Sequence, residues 1–182
     1  MRRFEGRIQH NTDTIRRLFK AAYDTYEMKK VIARFLIGAV LAVGGVVGSF
    51  PMIVQGLLLM MGCWLLVSRD FPAKCRADRT LEARKTALPT IVSTFYDDHV
   101  ELNGEGHMSL KYDRFQRLVE EKGYYFLFLD KNSACMIDRK TLKPDSPDKF
   151  REFVSAKTKL EWKETTSWLN MSLMDLFRLL KQ

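Results

Sequence analysis

Residues 35–67, FLIGAVLAVGGVVGSFPMIVQGLLLMMGCWLLV, run for 33 positions without one charge, and this block constrains the 182-residue chain more than any other feature. A helix needs about 20 residues to cross a hydrocarbon core about 30 Å thick. The block is too long for one crossing and fits two if each borrows a few flanking residues. Pro51 cannot extend a helix that precedes it but suits the first turn of the next, so Gly48, Ser49, Phe50 and Pro51 form a natural break. The expected spans are about 31–48 and 52–67. Neither half shows a polar face, which separates it from the usual amphipathic helix of a soluble protein. A buried helical hairpin in a soluble core is the competing reading. A cleavable signal peptide is set aside, because the block begins too late and runs too long.

The flanking charges orient this hairpin. Lys29, Lys30 and Arg34 precede it, Arg69, Lys74, Arg76 and Arg79 follow it, and the central turn carries none. The positive-inside rule then puts both termini in the cytoplasm, and the protein in the cell membrane as a two-span anchor. Membrane-surface contact is expected of Lys29, Lys30, Arg34, Arg69, Lys74 and Arg76. Both spans are short, so Arg34 and Arg69 are expected to snorkel. Within the block, Gly38, Ala42, Gly45 and Ser49 fall on one helical seam, and Gly44 and Gly48 form a GxxxG pair. Small residues let helix backbones approach closely in lipid. The seam packs either on the second span, near Gly56 and Gly62, or on a second copy, and the oligomeric state stays open. Gln55 reads as an interhelical or interfacial hydrogen bond; a transport site would need an ionisable group facing a cavity.

Outside the block the chain is polar and basic. Net charge is +8, with nine basic against four acidic residues over 1–34 and 21 against 18 over 69–182. Such an excess suits anionic lipid or nucleic acid. The mixing of both signs through the second half disfavours nucleic acid. Cys63, Cys75 and Cys135 are odd in number and lack CxxC spacing, so they read as reduced structural thiols.

Residues 1–30 give an alternating edge strand, MRRFEGRIQ, and a helix capped by Asn11, Thr12 or Asp13. Its apolar face (Ile15, Leu18, Phe19, Ala22, Tyr23, Tyr26) must cover either the membrane surface or a later domain. Residues 68–88 read as a charged helical linker opened by Pro72. From 89 to 160 the character is β: TIVSTFYDDHVEL broken at Asp97-Asp98, an Asn-Gly hairpin turn in NGEG, then HMSLKY, RFQRLVEE, YYFLFLD and SACMID. The aromatics of YYFLFL are expected to alternate into a barrel core. A helix follows in SPDKFREFVSAKT, with Ser146 as cap, Pro147 in the first turn, and Phe150, Phe153 and Val154 buried. The expected fold is an α+β membrane protein, in which a two-helix transmembrane hairpin carries a small antiparallel β-barrel or sheet of pleckstrin-homology-like layout, closed by a C-terminal helix.

The segment FYDDHVELNGEGHMSLKYDRFQRLVEEKGYYFLFLDKNSACMIDRKTL, followed by DKFREFVSAK, resembles the YcxB-like family of bacterial membrane proteins. The resemblance covers about residues 85–157 and rests on the order of strands and turns. It implies a two-span hairpin before a pleckstrin-homology-like domain, and it supplies no catalytic residue. In KYDRF the family often has a tryptophan; Tyr112 is expected to take that packing place.

No P-loop, GxGxxG, GxSxG or HExxH is present, so no catalytic, cofactor-binding or metal residues are assigned and no enzyme is expected. His99, Glu101 and His107 could be drawn as a metal site only if His107 paired opposite the other two, so exposed hairpin residues are the better reading. Residues 161–182 hold an amphipathic stripe of Leu169, Leu173, Leu176 and Leu180, broadened by Trp168 and Phe177. It could dock on the domain, lie on the membrane or bind a partner protein. The expected function is a membrane-anchored, non-enzymatic binding module with a protein or anionic-lipid partner. The alternative is an accessory or regulatory subunit of a larger membrane transport assembly.

Overall fold

The computed structural model describes residues 1–68, 70–84 and 88–164. The amphipathic tail stripe and Arg69 therefore lie outside the described residues. The fold is α+β, with two four-stranded sheets and five α-helices among the described residues.

The first sheet contains β1 (Arg2–Gln9), β2 (Thr90–Tyr96), β3 (His99–Asn103) and β4 (His107–Lys111), in that order and antiparallel throughout. The second has the order β7-β6-β5-β8, from β5 (Arg117–Glu121), β6 (Tyr124–Phe128), β7 (Ala134–Asp138) and β8 (Trp162–Glu164). Its β5–β8 pair is parallel. The β5–β6 hairpin turns at Lys122 and Gly123, both at positive φ (45° and 87°), which Gly123 adopts without a Cβ penalty. The predicted edge strand is β1, placed beside β2 despite about 80 intervening residues.

The barrel expectation is corrected here: the sheets do not close. They lie against each other and touch at one corner, where Glu5 and Lys143 form an isolated antiparallel bridge (Glu5 N–H to Lys143 O, 2.7 Å). Strands of five residues, interrupted by tight helical turns at Tyr112–Arg114 and Arg139–Thr141, end before a continuous ladder can join the two sheets. Between the sheets sits an aromatic core. Helix α5 (Pro147–Thr158) inserts Phe150 and Val154 against Phe4, Phe95, Leu118, Tyr125 and Leu127. Ser146 occupies the N-cap position of α5 but makes no side-chain capping bond.

The second sheet is covered on both faces, so β6 reads as an unbroken apolar run. Tyr125 and Leu127 face the inter-sheet core, whereas Phe126 and Phe128 face the other way, onto α1 (Thr12–Tyr26). The expectation that the YYFLFL aromatics enter one core is corrected accordingly: they divide between two. Helix α1 meets them with Leu18, Ala21, Ala22 and Tyr26, so its apolar face covers the β unit. Its cap is Asn11, whose Oδ1 accepts from Thr14 N–H at 2.8 Å while Thr14 Oγ1 accepts from Asn11 N–H at 2.7 Å.

After Glu27 the chain enters α2 (Met28–Val47), turns at residues 48–51, and returns in α3 (Met52–Val67), then α4 (Phe71–Ala83). Helix α2 is long and apolar enough to cross a membrane; the 16-residue α3 meets that test only together with α4. Helix α4 packs along α1 through Ala73 and Ala77, both essentially fully buried. Tyr23, Val31 and Ala73 form a small cluster where α1, α2 and α4 meet.

Candidate functional site

The α2–α3 crossing is built on missing side chains. A Cβ on Gly62 would stand 2.6 Å from the Ala42 backbone nitrogen and 2.8 Å from the Gly38 carbonyl oxygen. One on Gly45 would stand 2.9 Å from Leu59 N, and one on Gly38 3.1 Å from Gly62 O. Backbone cannot step aside, so Gly38, Ala42, Gly45 and Gly62 define the contact. Gly44 and Gly56 have no atom within 4 Å of a built Cβ and point outward. Gly48 lies at the turn, where its carbonyl accepts from Gln55 Nε2. Of the two glycine rows in the sequence, the structure uses the one through Gly38 and Gly45 for α3. Leu59 packs onto Gly45, and Leu65 and Leu66 onto Gly38, while most of the large side chains point away from the crossing: Leu36, Ile37, Val40, Val43, Val46, Val47, Met52, Ile53, Leu57, Met60 and Trp64 are all exposed.

At the open end of this pair stands a collar of charge. Glu27, between α1 and α2, accepts from Lys30 Nζ at 2.9 Å and pairs with Arg76 of α4 at 2.7 Å. The Lys30 ammonium, against the opposing effect of burial and with help from Arg76, holds the Glu27 carboxyl below its ordinary range. Two of the predicted surface cations, Lys30 and Arg76, are thus joined to one acid that the sequence reading did not single out. Lys29 and Lys74 are exposed and Arg34 is half-buried; none of the three has an ion-pair partner among the described residues. Deeper in the junction, Lys20 meets Asp24 at 3.2 Å and Glu121 at 3.7 Å. Burial disfavours its charge, but these carboxylates outweigh that and raise its pKa. Arg16 of α1 meets Asp78 of α4 at 2.9 Å. Arg117 caps the end of α1, donating to Thr25 O at 2.6 Å with its guanidinium over the Tyr26 ring.

On the first sheet, His99 pairs with Asp98 at 2.7 Å and with Glu101 at 3.4 Å. The Asp98 hydrogen bond leads in raising its pKa, against burial and aided by Glu101. His107 pairs in register with Asn103 and bonds its side chain at 2.7 Å, away from His99, which lies opposite Lys111. The drawn metal set is therefore not brought together, and no cluster of three or more His, Cys, Asp or Glu fit to hold a metal occurs among the described residues. Tyr112 is buried and donates to Tyr96 O at 2.7 Å, packing edge-on to Phe153 of α5. Cys135 is buried against Ser93, and burial pushes its thiol up to about 11.

These features define an α+β protein in which a helical pair, apolar on its outside, is joined through α1 and α4 to a two-sheet unit. Residues 95–154 match the family model described as YcxB-like protein, and over that segment the chain is similar to that family. The match begins at Phe95 in β2 and ends at Val154 in α5, so it spans most of the two-sheet unit and leaves out β1, α1 and the hairpin. No curated protein and no solved structure matches the chain.

Proposed function

We propose that the chain is a non-enzymatic binding module anchored in the cell membrane by two spans, α2 and α3, with both termini in the cytoplasm. One observation carries this reading: the large exposed apolar side chains are concentrated on α2 and α3, while the closest approach within that pair is made at Gly38, Ala42, Gly45 and Gly62. Helix pairs in water bury their large residues and expose polar ones; in lipid, close backbone packing drives association and large residues face the acyl chains. The two-sheet unit shows the opposite, aqueous arrangement, with its aromatics inside. Its order of seven strands, β1 to β7, followed by α5 and a short eighth strand supports a pleckstrin-homology-like reading, and its place at the collar presents it to the inner leaflet, where a protein or anionic lipid is its partner class.

Alkaline carbonate extraction of membranes, combined with thiol labelling of intact cells, tests this. The protein is expected in the membrane pellet. A cysteine introduced at Ser49 should react with an impermeant maleimide from outside, whereas Cys75 should react only after lysis. Release by carbonate, or labelling of Cys75 in intact cells, sinks the proposal. The accessory-subunit reading finds support in the outward Gly44 and Gly56, and cross-linking through a cysteine at Gly44 in native membranes would favour it.

A further inference from the structure

Resting on the membrane reading above, we propose that Trp64 and Phe71 form an aromatic anchor seated at the headgroup–acyl boundary of the inner leaflet, which ends the second crossing at α3 and leaves α4 outside the bilayer. The two rings lie 6.5 Å apart, and Trp64 and Phe71 are 56% and 52% exposed. They meet across Ser68, Arg69 and Asp70, the polar residues that end the apolar block. Phe71 opens α4, yet its ring reaches α3, while α4 packs on α1 through Ala73 and Ala77. Among the described residues, no other large apolar side chain between 68 and 107 is exposed.

Helix α3 has 16 residues and rises about 24 Å at 1.5 Å per residue, less than a hydrocarbon core of about 30 Å. The second crossing therefore either runs on into α4 or stops where α3 stops, with the bilayer thinned to match. The bend and the charges of α4 favour the stop. Helix α4 turns away from α3 by 58°. It carries Lys74, Arg76, Asp78, Arg79 and Glu82, and ionised groups are costly in hydrocarbon. Leu57, Met60, Met61 and Trp64 share one exposed face of α3 at spacings of three and four, so the apolar flank of the span leads straight to the anchor. Aromatic rings are favoured at such a boundary, where the ring stays apolar and the indole N–H of Trp reaches water. The nearby tyrosines cannot serve, since Tyr23 is buried and Tyr26 packs on Phe128. Through α4 the anchor sets the depth at which α1 and the two-sheet unit are carried.

The test uses the full chain in vesicles of phosphatidylcholine and phosphatidylglycerol, with part of the phosphatidylcholine brominated either near the headgroup or near the acyl-chain end. Bromine quenches indole fluorescence at contact range, and the quenching that disappears in Trp64→Phe belongs to Trp64. Shallow bromine is expected to quench Trp64 about twofold more than deep bromine, as for an indole in the interfacial belt. A crossing that ran on through α4 would put Trp64 near the bilayer centre, so equal or stronger quenching by deep bromine overturns the proposal. Phe71→Trp, made in the Trp64→Phe background, should restore the shallow pattern. No added quenching there would put Phe71 in water and overturn the pair. Trp64 left unquenched by both lipids, in protein that carbonate does not release, overturns the anchor alone. Carbonate release of the wild type is a separate result that overturns the membrane reading itself.

Discussion

The hairpin and the two-sheet unit are packed by opposite rules within one chain. Between the sheets, Phe150 is fully buried and its ring lies 5.0–5.4 Å from Phe4, Phe95 and Tyr125, so contact area comes from large side chains meeting inside. Between α2 and α3 the close approach comes from small residues, with Gly38, Gly45 and Gly62 set against backbone and Leu59, Leu65 and Leu66 packed over the first two. On the membrane reading proposed above, the difference marks where the solvent changes. Water rewards removal of aromatic surface, whereas a medium as apolar as leucine leaves only close fit to hold helices together.

The largest effect should come from emptying the aromatic core. Phe150→Ala removes the residue that α5 inserts between the sheets and should cost about 3–5 kcal/mol, as buried Phe-to-Ala changes do. Denaturation of the full chain in detergent, followed by near-ultraviolet circular dichroism, reads this. A loss below about 1 kcal/mol would mean that the core repacks and that α5 is not its keystone.

Adding side chains to the hairpin is the next test. Gly62→Leu and Gly45→Leu force backbone apart and should destabilise by about 1–3 kcal/mol, the usual range for overpacking. Gly44→Leu and Gly56→Leu meet open space and should be tolerated. Thermal unfolding of the four variants in one detergent separates them. Equal effects at all four positions would sink the assignment of faces. The β unit holds a counterpart in Gly6, where a Cβ would run into the buried Ile137 side chain, so Gly6→Ala should also destabilise.

The same contrast explains what the sequence could and could not reveal. The α3 boundaries, the Asp97-Asp98 turn, the Lys122-Gly123 turn and the Pro147 start of α5 are local signals, written in neighbouring residues. Hidden from it was anything fixed by distant pairing. β1 joins β2 across the whole hairpin, and nothing near Arg2–Gln9 names Thr90–Tyr96 as its partner. YYFLFL shows apolar character at every position, but not that α1 returns to cover Phe126 and Phe128. The glycines announced close packing, yet two overlapping rows fit the same period, and only the position of α3 chooses between them. Glu27 carried no motif; its role exists because α4 brings Arg76 to it.

That carboxylate offers a test of the joint between the two regions. Glu27 is held below its ordinary value of 4.5, so its contribution is complete above that pH and is lost as acid takes the solution down through the lowered value. Glu27→Gln should cost about 1.5–3 kcal/mol near neutral pH, the range for hydrogen bonds to charged groups, and should flatten the acid limb of the stability curve. A variant whose curve keeps the wild-type slope below pH 4.5 would show that Lys30 and Arg76 do not depend on this acid.

The smallest effect belongs to the exposed ion pair along the same joint. Arg16 and Asp78 bridge α1 and α4 at 2.9 Å, but both side chains are nearly half exposed, and such pairs contribute about 0–1 kcal/mol. Packing holds these helices instead: Ala73 and Ala77 are almost fully buried, and Ala73 clusters with the buried Tyr23 of α1. Arg16→Ala should therefore shift unfolding by less than about 0.5 kcal/mol, and raising the salt should erase even that. Were Arg16→Ala to cost as much as Glu27→Gln, charge rather than close packing would join the β unit to its helical pair.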